Sequence, residues 1–302
     1  MWFKNLKAYQ LTQPLSLDDD DLQQVLNENA FRPCGSQDTA TMGFASPFSQ
    51  AGKEGGAMFH KVQERYWITV KKQEKILPAA VVNAELADKV AQIEMETGSP
   101  VSKKQQSDLK QEITTRLLPQ AFKKNSYIHG FISIPERMVV IDASADGKAE
   151  GWLALVRKAI GSLPVVPLAR HSLQSELTHW LTDGTPEGIT LTEEAEFKST
   201  DDLESVVRVK NQPLDSEEIK LHLDSGKLVQ KVGFEYQETL TAVIAEDGSF
   251  KRVKFTDRLK EETDDIPKDQ VEARLDAEFA LMSAELSAFL DFMRTSLSLE
   301  QE

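Results

Sequence analysis

The sequence predicts an α+β protein: mixed antiparallel sheets with helices, and a long helical hairpin inserted in the first half. Three observations lead there. Strand-like runs follow one another across tight turns, as at Glu246-Asp247-Gly248-Ser249, where Asp-Gly favours positive φ. Helical periods stand beside these runs and do not alternate with them one for one, which argues against a doubly wound sheet. Two helical stripes between residues 78 and 119 are broken only by Gly98-Ser99-Pro100.

Taken in order, residues 3–12 read as a strand, and Asp18 to Asp21 open a helix carrying Leu22, Val25 and Leu26. Residues 32–56 are punctuated by glycine and proline and read as loop. Residues 57–70 return to strand composition. After Pro78, Val82, Leu86, Val90 and Ile93 recur at steps of four, four and three, a helix of about 19 residues and roughly 28 Å. Leu109, Ile113 and Leu117 mark its partner, which Pro119 stops. Two strands follow around Pro135-Glu136, then a helix with Trp152, Val156 and Ala159 inward. In the second half, Leu173 to Leu181 is a short helix and 205–210 a strand. Leu214 to Glu218 opens a helix that Gly226 ends. Strands are expected at 227–236, 239–245 and 249–255. Leu275, Phe279, Met282, Leu286, Phe289 and Met293 then step by four and three, the spacing of a core-packed helix. The domains expected are residues 1–77 with 120–165, the hairpin 78–119, and 166–302.

Formal net charge is −14, which taken alone argues against a polyanionic partner. The charge is sorted, however. Residues 61–125 hold 12 basic and 8 acidic side chains, and residues 261–302 hold 3 basic and 12 acidic. One basic surface on an acidic protein is compatible with this. Cys34 is the only cysteine, so no intrachain disulfide forms. Residues 1–15 lack a signal-peptide core, and no stretch nears the ~18 apolar residues of a membrane span. A cytoplasmic protein that meets no membrane is expected.

No catalytic constellation emerges, and neither a cofactor nor a metal is expected. His171 and His179 have only Glu176 between them as a further ligand. The acidic clusters Asp18–Asp21 and Asp264–Asp265 fall at helix starts, where capping accounts for them. There is no phosphate loop and no GxSxG elbow.

The basic clusters carry more. Lys71, Lys72 and Lys75 follow a strand, and Lys123 and Lys124 follow Phe122. Arg208 and Lys210 lie two apart and share a strand face; by the same parity so do Lys227 and Lys231, and Arg252 and Lys254, with Val253 and Phe255 opposite. Cations on one side of a sheet suit phosphate contacts and read little sequence without a recognition helix. The plain alternative is a half-exposed sheet, since residues 206–254 hold eight basic and eight acidic side chains.

Several segments resemble the RdgC family of bacterial nucleoid-associated DNA-binding proteins: MWFKNL (1–6), RPCGSQD (32–38), KKQEKILP (71–78), LLPQAF (117–122), GSLPVVPL (161–168), LDSEEIKLHLDSGKLV (214–229), DGSFKRVKF (247–255) and FALMSAEL (279–286). The resemblance runs nearly end to end. It implies a homodimer closed into a ring around duplex DNA, little sequence preference, and restraint of the recombinase RecA by occupying DNA; whether single strands also bind stays open. It implies Lys210, Gln212 and Lys227 as DNA contacts, with the other cations resting on spacing. The hairpin, through Leu109 and Ile113, and the region of Phe122 are the expected dimer contact. Set beside the pattern the resemblance implies, cations are missing at three sites: Gln120, Asn211 within Lys210-Asn211-Gln212, and the pair Asp146-Gly147. Two other function classes stay open: an acidic module that contacts a recombinase directly through 269–295, with Glu272, Asp276 and Glu285, and a hydrolase such as a nuclease.

Overall fold

The computed structural model describes residues 2–49, 56–199, 205–263, 265–267 and 269–299. The protein is α+β, with a large antiparallel sheet and eight α-helices among the described residues. It divides into two compact units, residues 1–27, 46–69 and 128–302 in the larger and 28–45 and 70–127 in the smaller.

In the larger unit the strands are β1 (Leu6–Leu11), β3 (Phe59–Val62), β6 (Met138–Asp142), β7 (Val165–Pro167), β8 (Ile189–Ser199), β9 (Val206–Lys210), β10 (Lys227–Tyr236), β11 (Leu240–Ala245) and β12 (Phe250–Phe255). They are joined by the near halves of β4 (Arg65–Ile76) and β5 (Phe122–Ser133). Their order is β4-β5-β6-β1-β12-β11-β10-β8-β9, with β3 on β4 and β7 on β1. Strand β1 pairs β6 on one side, Leu6 opposite Asp142, and β12 on the other, Leu6 opposite Phe250. This joins strands from both halves of the chain in one sheet, so residues on both sides of position 165 share a unit and no compact unit is bounded there.

One face of this sheet carries the main core. Helices α5 (Gln174–Thr182), α6 (Glu217–Asp224), α7 (Asp257–Glu261) and α8 (Val271–Ser296) all place buried residues in it. Phe279, Met282, Leu286, Phe289 and Met293 of α8 are buried as their spacing predicts, while Leu275 is half-buried. Phe289 stacks on Phe234 at 5.9 Å, and Phe279 on Trp67 at 5.3 Å. The opposite face is closed over β5 and β6 by α4 (Asp146–Ile160). Trp152 of α4 is fully buried and donates from Nε1 to the Ile68 carbonyl at 3.2 Å. Its ring lies so close to Gly130 that a Cβ there would meet it at 2.8 Å, which fixes glycine at that position. Helix α1 (Asp19–Glu28) buries Leu22 and Leu26.

The smaller unit holds β2 (Ala40–Ala45), the far halves of β4 and β5, and helices α2 (Ala79–Thr97) and α3 (Lys103–Leu117). Gly98 ends α2 in the left-handed region at φ 66°, its N–H on the Glu94 carbonyl at 2.9 Å. Ser102 and Gln105 open α3 with a reciprocal capping box. Lys89 pairs with Glu112 at 2.7 Å and Arg116 with Glu85, so the helices face each other. Val82 and Ile113 are buried; Leu86, Val90, Ile93 and Leu109 are half-buried.

Three strands differ from expectation. Strand β2 lies within the stretch read as loop, and β7 and β8 occupy stretches where no element is expected, β8 because Glu193, Glu194 and Glu196 depress its strand signal. Strands β4 and β5 also extend past their expected ends, so Lys71, Lys72, Lys75, Lys123 and Lys124 lie within strands and not beside them.

Candidate nucleic-acid interface

The face of β8–β12 turned away from the core is built by alternation. Val232, Phe234 and Tyr236 of β10 oppose Ile244, Ala242 and Leu240 of β11, and all are buried in the core. Their neighbours Lys231, Glu235, Thr241, Val243, Lys251 and Lys254 therefore take the other face. The same register puts Arg208 opposite Glu196 and Lys210 opposite Glu194. The helices α5–α8 bury their residues on the core side, and this face is covered by none of them. Arg208, Lys210, Arg252 and Lys254 are exposed on it.

Two bulges decide which cations belong. In β10, Val229 opposes Phe197 while Lys231 opposes Glu196: two steps on one strand match one on the other. Phe197 is buried and Glu196 is on the open face, so Lys231 is on the open face and Val229 is not. Lys227 and Lys231 thus lie on opposite faces, against the parity reading, because the extra residue inverts the alternation. The Lys227 ammonium donates to Ser225 Oγ at 3.1 Å. In β12, Arg252 adopts φ 54° at a second register shift, and its N–H donates to Asn5 Oδ1 at 3.4 Å. That bulge leaves Arg252 and Lys254 exposed, with Val253 and Phe255 buried as the alternation predicts, and brings Lys251 to the same face.

Carboxylates stand among these cations. Glu196 accepts from Arg208 Nε and from Lys231 Nζ, each at 2.9 Å, and Glu194 pairs with Arg252. Burial works against the charged form of Glu196, but the bonds from Lys231 and Arg208 hold its carboxyl below the ordinary range.

The smaller unit's lysines divide by parity. The Gln73–Asn125 bond at 2.8 Å and the Lys71 ammonium 5.7 Å from the Tyr127 ring put these residues on one face of β4 and β5. The segment 31–36 lies against it. Lys71 sits 4.6 Å over the Phe31 ring, Lys75 donates to the Ser36 carbonyl at 2.6 Å, and Lys123 to the Cys34 carbonyl at 3.4 Å. Three of the expected contacts thus hold a loop of their own unit. Lys72 pairs with Glu74 at 2.6 Å, and Lys124 is exposed. Gln212 Nε2 reaches Ser216 Oγ at 3.3 Å and Glu218 at 2.7 Å, bracing the start of α6.

Of the expected dimer contacts, Phe122 is 83% exposed and Leu109 half-buried. Ile113 is sealed within its own unit at 0% exposure and offers no surface to a partner. Asp276 is bound by His60 Nε2 at 2.7 Å. His171 pairs with Glu176 at 3.0 Å and His179 with Asp183 at 2.8 Å, so the two histidines do not converge. Among the described residues no group of three His, Cys, Asp or Glu could hold a metal; Asp264 lies outside them. No helix among them is long and apolar enough to cross a membrane.

A cavity of about 460 Å³ lined by Lys7, Tyr9, Asp146, Arg170, His171 and Asp247 is occupied by its own charges. Lys7, 9% exposed, pairs with Asp146 at 2.6 Å and Asp247 at 2.8 Å. Burial works against the ionised Asp247, yet Lys7 and Ser249 hold it at about 2. Asp146 thus serves as a counter-ion to a buried lysine.

A sheet closed by helices on one side and open on the other, with cations fixed along the opening, defines an α+β protein with a basic strand face. Comparison carries the assignment further. The family model described as "Putative exonuclease, RdgC" matches residues 1–300. The protein named Recombination-associated protein RdgC from Pseudoalteromonas atlantica is 57% identical over 303 residues, covering 100% of this chain and 99% of that protein. Those of the same name from Aeromonas hydrophila and Proteus mirabilis are 41% and 40% identical, covering 100% and 96% of this chain and 99% and 96% of theirs. The chain belongs to the RdgC family.

Proposed function

We propose that this protein binds duplex DNA without reading its sequence, through the open face of β8–β12, as a homodimer closed into a ring on the nucleoid, and that it limits recombination by RecA by occupying DNA. The observation that carries this reading is the open face itself: Arg208, Lys210, Lys231, Lys251, Arg252 and Lys254 gathered on strands in a chain of net charge −14. Such a face positions phosphates, and α5–α8 all lie on the other side of the sheet, so none of them enters a groove from it. A ring sequesters its cations from the acidic exterior, so net charge says little about the lumen. The helical hairpin of α2 and α3, with exposed Phe122 and Met95, is the surface for one dimer contact.

The test is duplex binding against salt, with sedimentation to count chains. If about six phosphates are neutralised, affinity falls about 10³-fold between 50 and 200 mM salt, whatever the sequence. A flat salt response or a monomer at micromolar concentration overturns the reading. Adding magnesium to the same assay tests the exonuclease named by the family model: shortening of the duplex, abolished by chelator, would replace a binding protein by an enzyme. If Glu272→Lys with Glu285→Lys on α8 abolishes restraint of the recombinase and leaves DNA binding intact, direct contact replaces occupancy.

A further inference from the structure

The carboxylates of β8 have no place in a simple phosphate-binding face. Glu194 and Glu196 lie on the open side of their strand, in the middle of the cations that would meet DNA. They are not bystanders: Glu196 bridges Arg208 on one neighbouring strand and Lys231 on the other, both at 2.9 Å, and Glu194 holds Arg252. Glu196 is only 19% exposed, and Arg208 is 69% exposed, so the cation lies at the surface and the carboxylate beneath it. A guanidinium or ammonium in this arrangement already has the oxyanion that a phosphate would supply.

Resting on the DNA-binding reading above, we propose that Glu194 and Glu196 are built-in surrogates for DNA phosphates, which hold Arg208, Lys231 and Arg252 in the free protein and are displaced when DNA binds. Binding is then an exchange of one oxyanion for another. The exchange orders the cations before DNA arrives and sets affinity below what the same cations would give unopposed, as suits a protein that must travel along DNA and leave it. It also changes the salt response. Each displaced carboxylate recruits a small cation as the phosphates release theirs, so the salt slope is shallower than the number of phosphate contacts implies.

The experiment compares the full-length protein with Glu194→Gln, Glu196→Gln and the double variant, using a fluorescent 30-base-pair duplex between about 50 and 200 mM salt. The double variant is expected to bind about tenfold tighter at the lower salt, each single variant about threefold, and the double variant's salt slope to steepen by about one to two. Glu235→Gln, on the same face but on β10, removes the same charge and is the control; it should change affinity less than about twofold. Unaltered or weakened binding by the double variant, or equal tightening by Glu235→Gln, overturns the proposal. Should glutamine at 196 destabilise the strand, Glu196→Thr, a good strand former, carries the same expectation. Wild-type protein that binds duplex, with variants no tighter, sinks only this inference; absence of binding by every form sinks the DNA-binding reading as well.

Discussion

The two halves of the larger unit's sheet are built on different terms. Strands β5 and β6 are closed on both faces, by the α8 core on one and by α4 on the other; β8–β12 are closed by the helices on the core side. The sequence difference follows from the geometry. Met138-Val139-Val140-Ile141 is apolar at every step, whereas Phe250 to Phe255 places three exposed or half-exposed basic residues between buried ones. The doubly covered half is committed to stability, and the singly covered half carries its cations on the face that α5–α8 leave uncovered.

This contrast can be broken by measurement. The largest effect is expected in the covered half: Trp152→Ala removes a fully buried ring and its bond to Ile68, costing about 3–5 kcal/mol of unfolding free energy. Thr241→Ala, half-buried on the open face, should cost under about 1 kcal/mol. Equal losses in denaturant melts would show that the open face is packed after all.

His129, buried in the covered half beside Trp67 and bonded to Thr69 Oγ1 at 3.0 Å, sharpens the same point through pH. Burial lowers its pKa to about 4. The unfolded chain takes up a proton near 6.5 and the folded chain does not, so stability is full above about pH 6.5 and declines as pH falls towards 4, by on the order of 3 kcal/mol. Melts of His129→Gln across this window should be flatter than wild type; parallel curves would remove His129 as the cause.

On the open half, reversing Arg208, Lys210 and Lys254 to glutamate together should weaken duplex binding about 100-fold near 100 mM salt, with melting little changed. Reversing Lys148 and Lys158 on α4 should stay within about twofold. Comparable losses from both sets would mean that binding follows total charge and not one face. The smallest effect separates two neighbours on β10: Lys231→Ala should cost about threefold and Lys227→Ala less than about twofold, since the bulge turns them apart. The reverse order would restore the simple alternation.

Much of this fold was legible in the chain. The stripes of α2, α3 and α8 and the three-strand run β10–β12 fall where period and turn chemistry put them. Strand β8 was not legible, because its glutamates are poor strand formers whose partners, Arg208 and Lys231, come from other strands. The candidate face was half legible: parity paired Arg208 with Lys210 and Arg252 with Lys254, but it could not foresee an inserted residue in β10. Nor could it show that Lys71, Lys75 and Lys123 are engaged by the segment at Phe31 to Ser36, a contact distant in sequence.

The bulge in β10 also bears on how the chain finds its pairing. The strand's beginning must bury Val229 with Phe197, and its continuation must set Lys231 against Glu196. A slip of one residue that satisfies either stretch would drive a charge into the core or an apolar side chain into water along the other. Because the two stretches demand opposite parities, no uninterrupted ladder can satisfy both, and misaligned hairpins formed early in folding would come apart before α8 could lock them. Deleting Gln230, the extra residue, would leave one uninterrupted alternation that satisfies both stretches, so refolding yield should fall less than on deleting Val232, which turns the rest of the strand over.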